Sequence, residues 1–151
     1  MALVRIDRPL PAPVDRVWRL VTDWPAHGRW IPFTRVTVDP DSPVAEGVGT
    51  RFTGRSAVGP VGFDDPMTVT EWSPPAGTGG GRCRVVKRGR WLAGWAEIEV
   101  RPAPGGCRLV WVEEVRPRWT PALADPVVAL LGRQLFGYTV SRIRTELNSQ
   151  R

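Results

Sequence analysis

Apolar positions run along this chain in two rhythms. Val14, Val17, Trp18 and Val21 recur at i, i+3, i+4 and i+7, the spacing of one helical face, so a short helix follows an apolar opening strand over residues 2–6. Pro13 suits the first helical turn, where its missing N–H costs nothing, and Asp15 sits at the positive end of the helix dipole. Trp24-Pro25 ends the helix, and a second short turn over 26–30 stops before Pro32. From Phe33 onward the period falls to two, which predicts strands at 33–38, 50–57, 61–72, 82–88, 94–101 and 107–116. The separators carry turn chemistry, among them Asp39-Pro40, Val58-Gly59-Pro60 and the Gly-rich stretch 74–81, and such short links imply antiparallel hairpins. The helical period returns over 120–148, with Asp125 as the expected N-cap before Pro126 and a stripe of Val128, Leu131, Leu135, Phe136, Val140, Ile143 and Leu147. The order is one strand, two short helices, six strands and a long helix, which is an α+β arrangement.

Composition narrows the class. With 151 residues, the whole of 1–151 reads as a single domain, and 16 Gly and 16 Pro leave it below the level of about 25–30% at which disorder is the better expectation. Eight Trp and four Phe supply more aromatic bulk than a core of this size needs, which suggests a lined cavity. No apolar run is long enough to span a membrane, and Arg5, Asp7 and Arg8 interrupt the place where a signal peptide would be apolar. A cytoplasmic location is the expectation.

The formal charge is +6, yet only Lys87 among the 21 cations is Lys, and apart from Arg82, Arg84, Lys87, Arg88 and Arg90 the cations are spread along the chain. A nucleic-acid footprint should be a patch, so no nucleic-acid partner is expected. Cys83 and Cys107 lack CxxC spacing and His27 is the only His, so no metal site is expected and reduced thiols are favoured over a disulfide. No dinucleotide fingerprint, P-loop or nucleophile elbow is present, and no cofactor is expected.

Four segments carry a resemblance: PxPVDxVWxLVTDWPxxxRWIP at the front, GxGTRF, MTVTEWxPP, and GCRLVWVEEVRP before the last helix. With the order of elements, they resemble the START-like helix-grip superfamily, in particular the polyketide cyclase/dehydrase and lipid-transport family, also called SRPBCC. The resemblance spans nearly the whole chain and rests on structural motifs. It implies a bent antiparallel sheet wrapped around the C-terminal helix, with a cavity between them for a hydrophobic small molecule. In the hairpin where related sequences often carry His-Gly, this chain has Arg88-Gly89.

A sheet bent around one helix leaves a gap that packing must fill or a ligand must occupy. The residues expected to line it are Trp30, Phe33, Phe52, Met67, Val85, Ile98 and Trp111, with Leu135, Phe136 and Val140 from the helix; each would serve equally as plain core. Gly132 and Gly137 each cost the helix about 1 kcal/mol, which close strand approach or ligand space would offset, unless they are simply tolerated. Glu113 and Glu114 interrupt an apolar strand, and alternation puts one on each face. Glu114 shares its row with Arg108 and Arg116, so Glu113 is the expected inward carboxylate, the one catalytic candidate and part of the ligand site. Its alternative is a structural ion pair with an Arg on a neighbouring strand. On the next strand Trp95 falls on the charged outer row. His27, in an Ala-His-Gly loop context, reads as a surface or structural group, with a cavity-mouth role as the alternative.

Three functions are open at this point: a binding protein for a lipid or polyketide-like metabolite, a cyclase/aromatase-type enzyme, and an interaction protein using a basic outer face. A closed cavity with one polar residue would favour the first, convergent polar groups the second, and a filled core beneath an Arg patch the third.

Overall fold

Proline placement sets the first boundaries. In the computed structural model, which describes residues 2–150, β1 (Ala2–Leu10) ends at Pro11, and α1 (Val14–Val21) starts directly behind Pro13. The apolar stripe buries Val17, Trp18 and Val21. A 3₁₀ turn (Trp24–Ala26) and α2 (His27–Trp30) complete the pair of short helices.

Six strands follow: β2 (Thr34–Val38), β3 (Arg51–Val58), β4 (Val61–Ser73), β5 (Gly81–Arg88), β6 (Leu92–Ala103) and β7 (Gly106–Pro117). All pair antiparallel in the order β1-β7-β6-β5-β4-β3-β2. Only the step from β1 to β2 crosses from one edge to the other, and α1 and α2 fill it. Strands run further than hydrophobic alternation shows, because pairs such as Leu92↔Pro117 and Arg8↔Leu109 carry the ladder into residues whose side chains give no period-two signal. On the outer face Trp95 packs under the Arg84 guanidinium at 4.2 Å and donates to Glu114 at 2.9 Å.

The last helix, α3 (Asp125–Ser149), begins later than the apolar pattern places it. Pro121 and the 3₁₀ turn Ala122–Ala124 occupy the segment before it, and Asp125 is the first helical residue rather than the N-cap, which is Ala124. The expected stripe divides in two. Its C-terminal half, Phe136, Val140, Ile143 and Leu147, is buried, whereas Leu131 and Leu135 in the N-terminal half stand partly in solvent. Gly132 lets this half approach β1, since a Cβ there would meet Val4 Cγ2 at 2.8 Å; around Gly137 there is open space, and that glycine is merely tolerated.

Candidate functional site

A cavity of about 420 Å³ lies between the inner face of the sheet and the N-terminal half of α3, with Trp24, His27 and Ile31 at one side. Its apolar wall includes Phe52, Met67, Val85, Ile98, Trp111 and Phe136, and Leu131 and Leu135 roof it from the helix. The wall follows from alternation: the rows Val69-Met67-Asp65, Cys83-Val85-Lys87, Val100-Ile98-Ala96 and Leu109-Trp111-Glu113 all face inward.

Three of those inward positions are charged, and they meet. Lys87 Nζ donates to Asp65 Oδ2 at 2.6 Å and lies 3.1 Å from Glu113 Oε1. Glu113 is on β7 and Lys87 on β5, so the pair reaches diagonally across β6, where the facing residues are Gly94 and Ala96. Their small size leaves the room. Gly94 is also required by the backbone, with φ +126° and a position where a Cβ would stand 1.9 Å from the Glu114 carbonyl oxygen. Trp111 Nε1 donates to Glu113 Oε2 at 3.3 Å, and Asp65 Oδ1 is buried with no hydrogen-bond partner among the described residues.

Two carboxylates share one ammonium here. Burial alone would push the Lys87 ammonium down, but Glu113 and Asp65 outweigh it and hold the group above its ordinary value, so it stays charged. Burial pushes the Glu113 carboxyl up, against the pull of Lys87 and with further push from Asp65. Glu113 is therefore a carboxyl poised to hold a proton beside a fixed positive charge.

His27 is buried, not at the surface, because the first residue of α2 points into the fold. Its Nε2 bonds the Val21 carbonyl oxygen at 2.8 Å, so in the neutral ring Nε2 carries the proton. Desolvation lowers its pKa to about 4, opposed by that hydrogen bond and by Asp23. The ring packs against Trp24, Trp30 and Trp111 at 5.4 to 5.5 Å between centroids.

Of the residues expected from sequence, the structure brings Phe52, Met67, Val85, Ile98, Trp111, Glu113, Leu135 and Phe136 onto this one wall. Three lie elsewhere. Trp30 is buried between α2 and α3, its Nε1 donating to Glu146 at 2.6 Å while Arg29 holds the other Glu146 oxygen. Phe33 has φ +58° and turns outward at the end of α2, 73% exposed, and Val140 belongs to the packed half of α3. The partner of Glu113 is not an Arg on an adjacent strand but Lys87, two strands away. Asp65, Lys87 and Trp24 escaped sequence reasoning, and His27, expected at the surface or in a structural role with a cavity-mouth role as the alternative, stands in the cavity wall. The signal for the first two was present: each stands on the apolar phase of its strand, between Phe63 and Met67 and after Cys83 and Val85, and Lys87 is the one Lys of an Arg-rich chain.

Among the described residues, no group of three His, Cys, Asp or Glu side chains is arranged to hold a metal ion, and no helix is long and apolar enough to cross a membrane. A seven-stranded sheet gripping a long C-terminal helix, with a lined gap between them, defines a START-like helix-grip domain. The chain belongs to the polyketide cyclase / dehydrase and lipid transport family, whose pattern matches residues 1–148. Solved structures share the fold at low identity. A START superfamily protein from Mycobacterium smegmatis aligns at TM-score 0.76 and 12% identity over 100% of both chains. A protein from Thermus thermophilus aligns at 0.75 and 18% over 98% of each, and one from Chromobacterium violaceum at 0.67 and 21% over 96% of each. No curated protein matches the chain in sequence.

Proposed function

We propose that the protein binds a hydrophobic small molecule, of lipid or polyketide-like character, with its apolar body against Phe52, Met67, Val85, Ile98, Trp111, Leu135 and Phe136. One polar group of that molecule meets Asp65, Lys87 and Glu113. The observation that carries this reading is the cavity of about 420 Å³, lined mainly by apolar side chains and holding one buried charged cluster. Such a wall rewards a ligand that is apolar over most of its length and hydrogen-bonding at one point, since an unpartnered buried acceptor such as Asp65 Oδ1 costs about 1–3 kcal/mol until a donor reaches it. The buried free thiols of Cys83 and Cys107 accord with a reducing, cytoplasmic setting.

Native mass spectrometry of the purified protein tests binding directly: a bound small molecule lost on denaturation is expected, displaced by an anilinonaphthalene dye. Leu135→Trp, which narrows the cavity from a half-exposed helix position, should weaken the dye. No retained molecule, together with unchanged dye affinity in that variant, would remove the cavity from the function.

A second reading has its own support, because three ionisable groups converge on one spot. A carboxyl pushed up by burial holds a proton more readily than a free one and can pass it to a substrate, and the fixed Lys87 charge favours a developing enolate, so Glu113 would assist enolisation or dehydration of a folded poly-β-ketone. Turnover of a synthetic poly-β-ketone that disappears in Glu113→Gln, in a variant that still folds and still binds that chain, would select the enzyme. Wild-type protein that binds such a chain without converting it would select the carrier.

A further inference from the structure

Apolar side chains that the core does not use gather at one end. Phe33, Val58, Val61, Trp91 and Trp119 line a second groove of about 550 Å³, which shares Phe63, Leu92 and Trp119 with the wall of the main cavity. The opening of the cavity and this groove are therefore continuous. Trp119 is 70% exposed, and Leu123, in the turn leading to α3, is 93% exposed. These residues stand on separate loop tips, yet the tips are fixed to one another: Arg118 N donates to the Trp91 carbonyl at 2.9 Å and Arg118 Nε to the Gly89 carbonyl at 3.1 Å.

The same tips are basic. Arg88, at the end of β5, and Arg90, in the β5–β6 turn, precede Trp91 and are exposed, with no acidic partner among the described residues, and Arg118 precedes Trp119. Asp64, whose backbone lies beside Gly89, is engaged with Arg55 at 3.3 Å, and Glu114 with Arg116 at 3.1 Å. Indole rings beside guanidinium groups on protruding loops fit the boundary between lipid headgroups and acyl chains, where an apolar body and a polar edge are both accommodated. A second copy of the chain fits badly, because a two-fold contact through this end would set Arg88 and Arg90 of each copy against those of the other.

We propose that this end of the molecule docks on the surface of a bilayer containing anionic phospholipid, with Trp91, Trp119 and Leu123 entering the interface and Arg88 and Arg90 meeting phosphate groups. The proposal stands on this surface alone and does not require the cavity to bind anything.

Vesicle flotation tests it, using vesicles of phosphatidylcholine alone and of an equimolar mixture with phosphatidylglycerol. The full-length protein should float with the anionic vesicles, less so as salt is raised, and weakly with the neutral ones. Arg88→Gln and Arg90→Gln should each weaken partitioning about fivefold. Trp91→Ala and Trp119→Ala should each weaken it about tenfold at unchanged salt dependence. All four positions are exposed, so circular dichroism melting should match wild type and keep the comparison clean. Equal partitioning onto both vesicle types, partitioning unaffected by the Trp variants, or a dimer in sedimentation equilibrium that Trp119→Ala dissolves would each overturn the proposal.

Discussion

Replacing Lys87 by Met removes the one positive charge that two buried carboxylates share while keeping the length and bulk of the side chain. Lys87 Nζ is 2.6 Å from Asp65 Oδ2 and 3.1 Å from Glu113 Oε1, and all three side chains are buried at the sheet's inner face. Removing one partner of such a cluster costs about 3–5 kcal/mol, a large share of the 5–15 kcal/mol typical of a whole domain. The pH dependence identifies the cause. In the variant only the Trp111 hydrogen bond still opposes burial at Glu113, so its folded pKa rises further above the unfolded value. A raised folded pKa means that the native state holds a proton the unfolded chain releases, so stability is retained below about pH 4 and lost as pH rises through the folded value. The deficit of Lys87→Met relative to wild type should therefore be small in acid and grow as pH rises. Urea unfolding followed by tryptophan fluorescence across that range measures it. Lys87→Met with Glu113→Gln and Asp65→Asn should recover most of the loss, because a neutral cluster of similar shape carries no uncompensated charge. A deficit under about 1 kcal/mol, or one parallel to wild type at every pH, would refute a charge-sharing cluster.

His27→Gln should abolish a pH-linked part of stability: the folded pKa of about 4 lies below the unfolded 6.5, so wild type gains about 3 kcal/mol as pH rises between the two values and holds it above 6.5. Urea midpoints across that window give the slope, and parallel curves for wild type and variant would exclude a buried neutral imidazole. Glu113→Gln should change the affinity of an anilinonaphthalene dye or its pH profile, whereas Glu114→Gln, on the outer face with Trp95 and Arg116, should leave both unchanged in the same titration. Trp111→Ala should cost about 3–5 kcal/mol in urea unfolding and weaken the dye as well; unchanged dye affinity in the folded variant would leave Trp111 as core alone. Gly137→Ala should raise stability by about 0.5–1 kcal/mol, and Gly132→Ala should not, since only the second meets a stiff Val4 methyl; thermal unfolding separates them.

Hydrophobic phase carried most of the fold and half of the site. The period-two rows placed Glu113 inward and Glu114 outward, set Trp95 on the outer face, and brought six of the eleven expected wall residues together, to which the helical stripe added Leu135 and Phe136. Phase fails where a residue leaves the regular element. Phe33 and Trp30 flank the stop at Pro32, and their directions come from a left-handed backbone at Phe33 and from a hydrogen bond to Glu146, on a helix more than a hundred residues away. Val140 obeys the helical stripe, but the stripe says nothing of where the helix leaves the sheet. His27 fails for a related reason: three residues around it look like a loop, while its burial comes from three tryptophans of distant elements.

Lys87 shows a different limit. Alternation was sufficient to mark a charge on the inner row of β5 and another on that of β4, but a single inward charge is uninterpretable without knowing which strands neighbour it. β5 and β7 are separated by β6, so no adjacent-strand pairing rule would match Lys87 with Glu113; the contact exists because the intervening positions are Gly94 and Ala96, the smallest side chains available. The identity of the cation follows from the same geometry. A single ammonium on a flexible stem can sit between two carboxylates approaching from different sides, whereas a planar guanidinium favours one partner edge-on and needs more room. In a chain whose other cations are all arginine, the lysine stands where a compact charge is required. Lys87→Arg is accordingly a disruptive change here, and it should crowd Met67 and Val85 and lower both stability and dye affinity, while Arg84→Lys on the outer face of the same strand should alter neither by more than a few tenths of a kcal/mol.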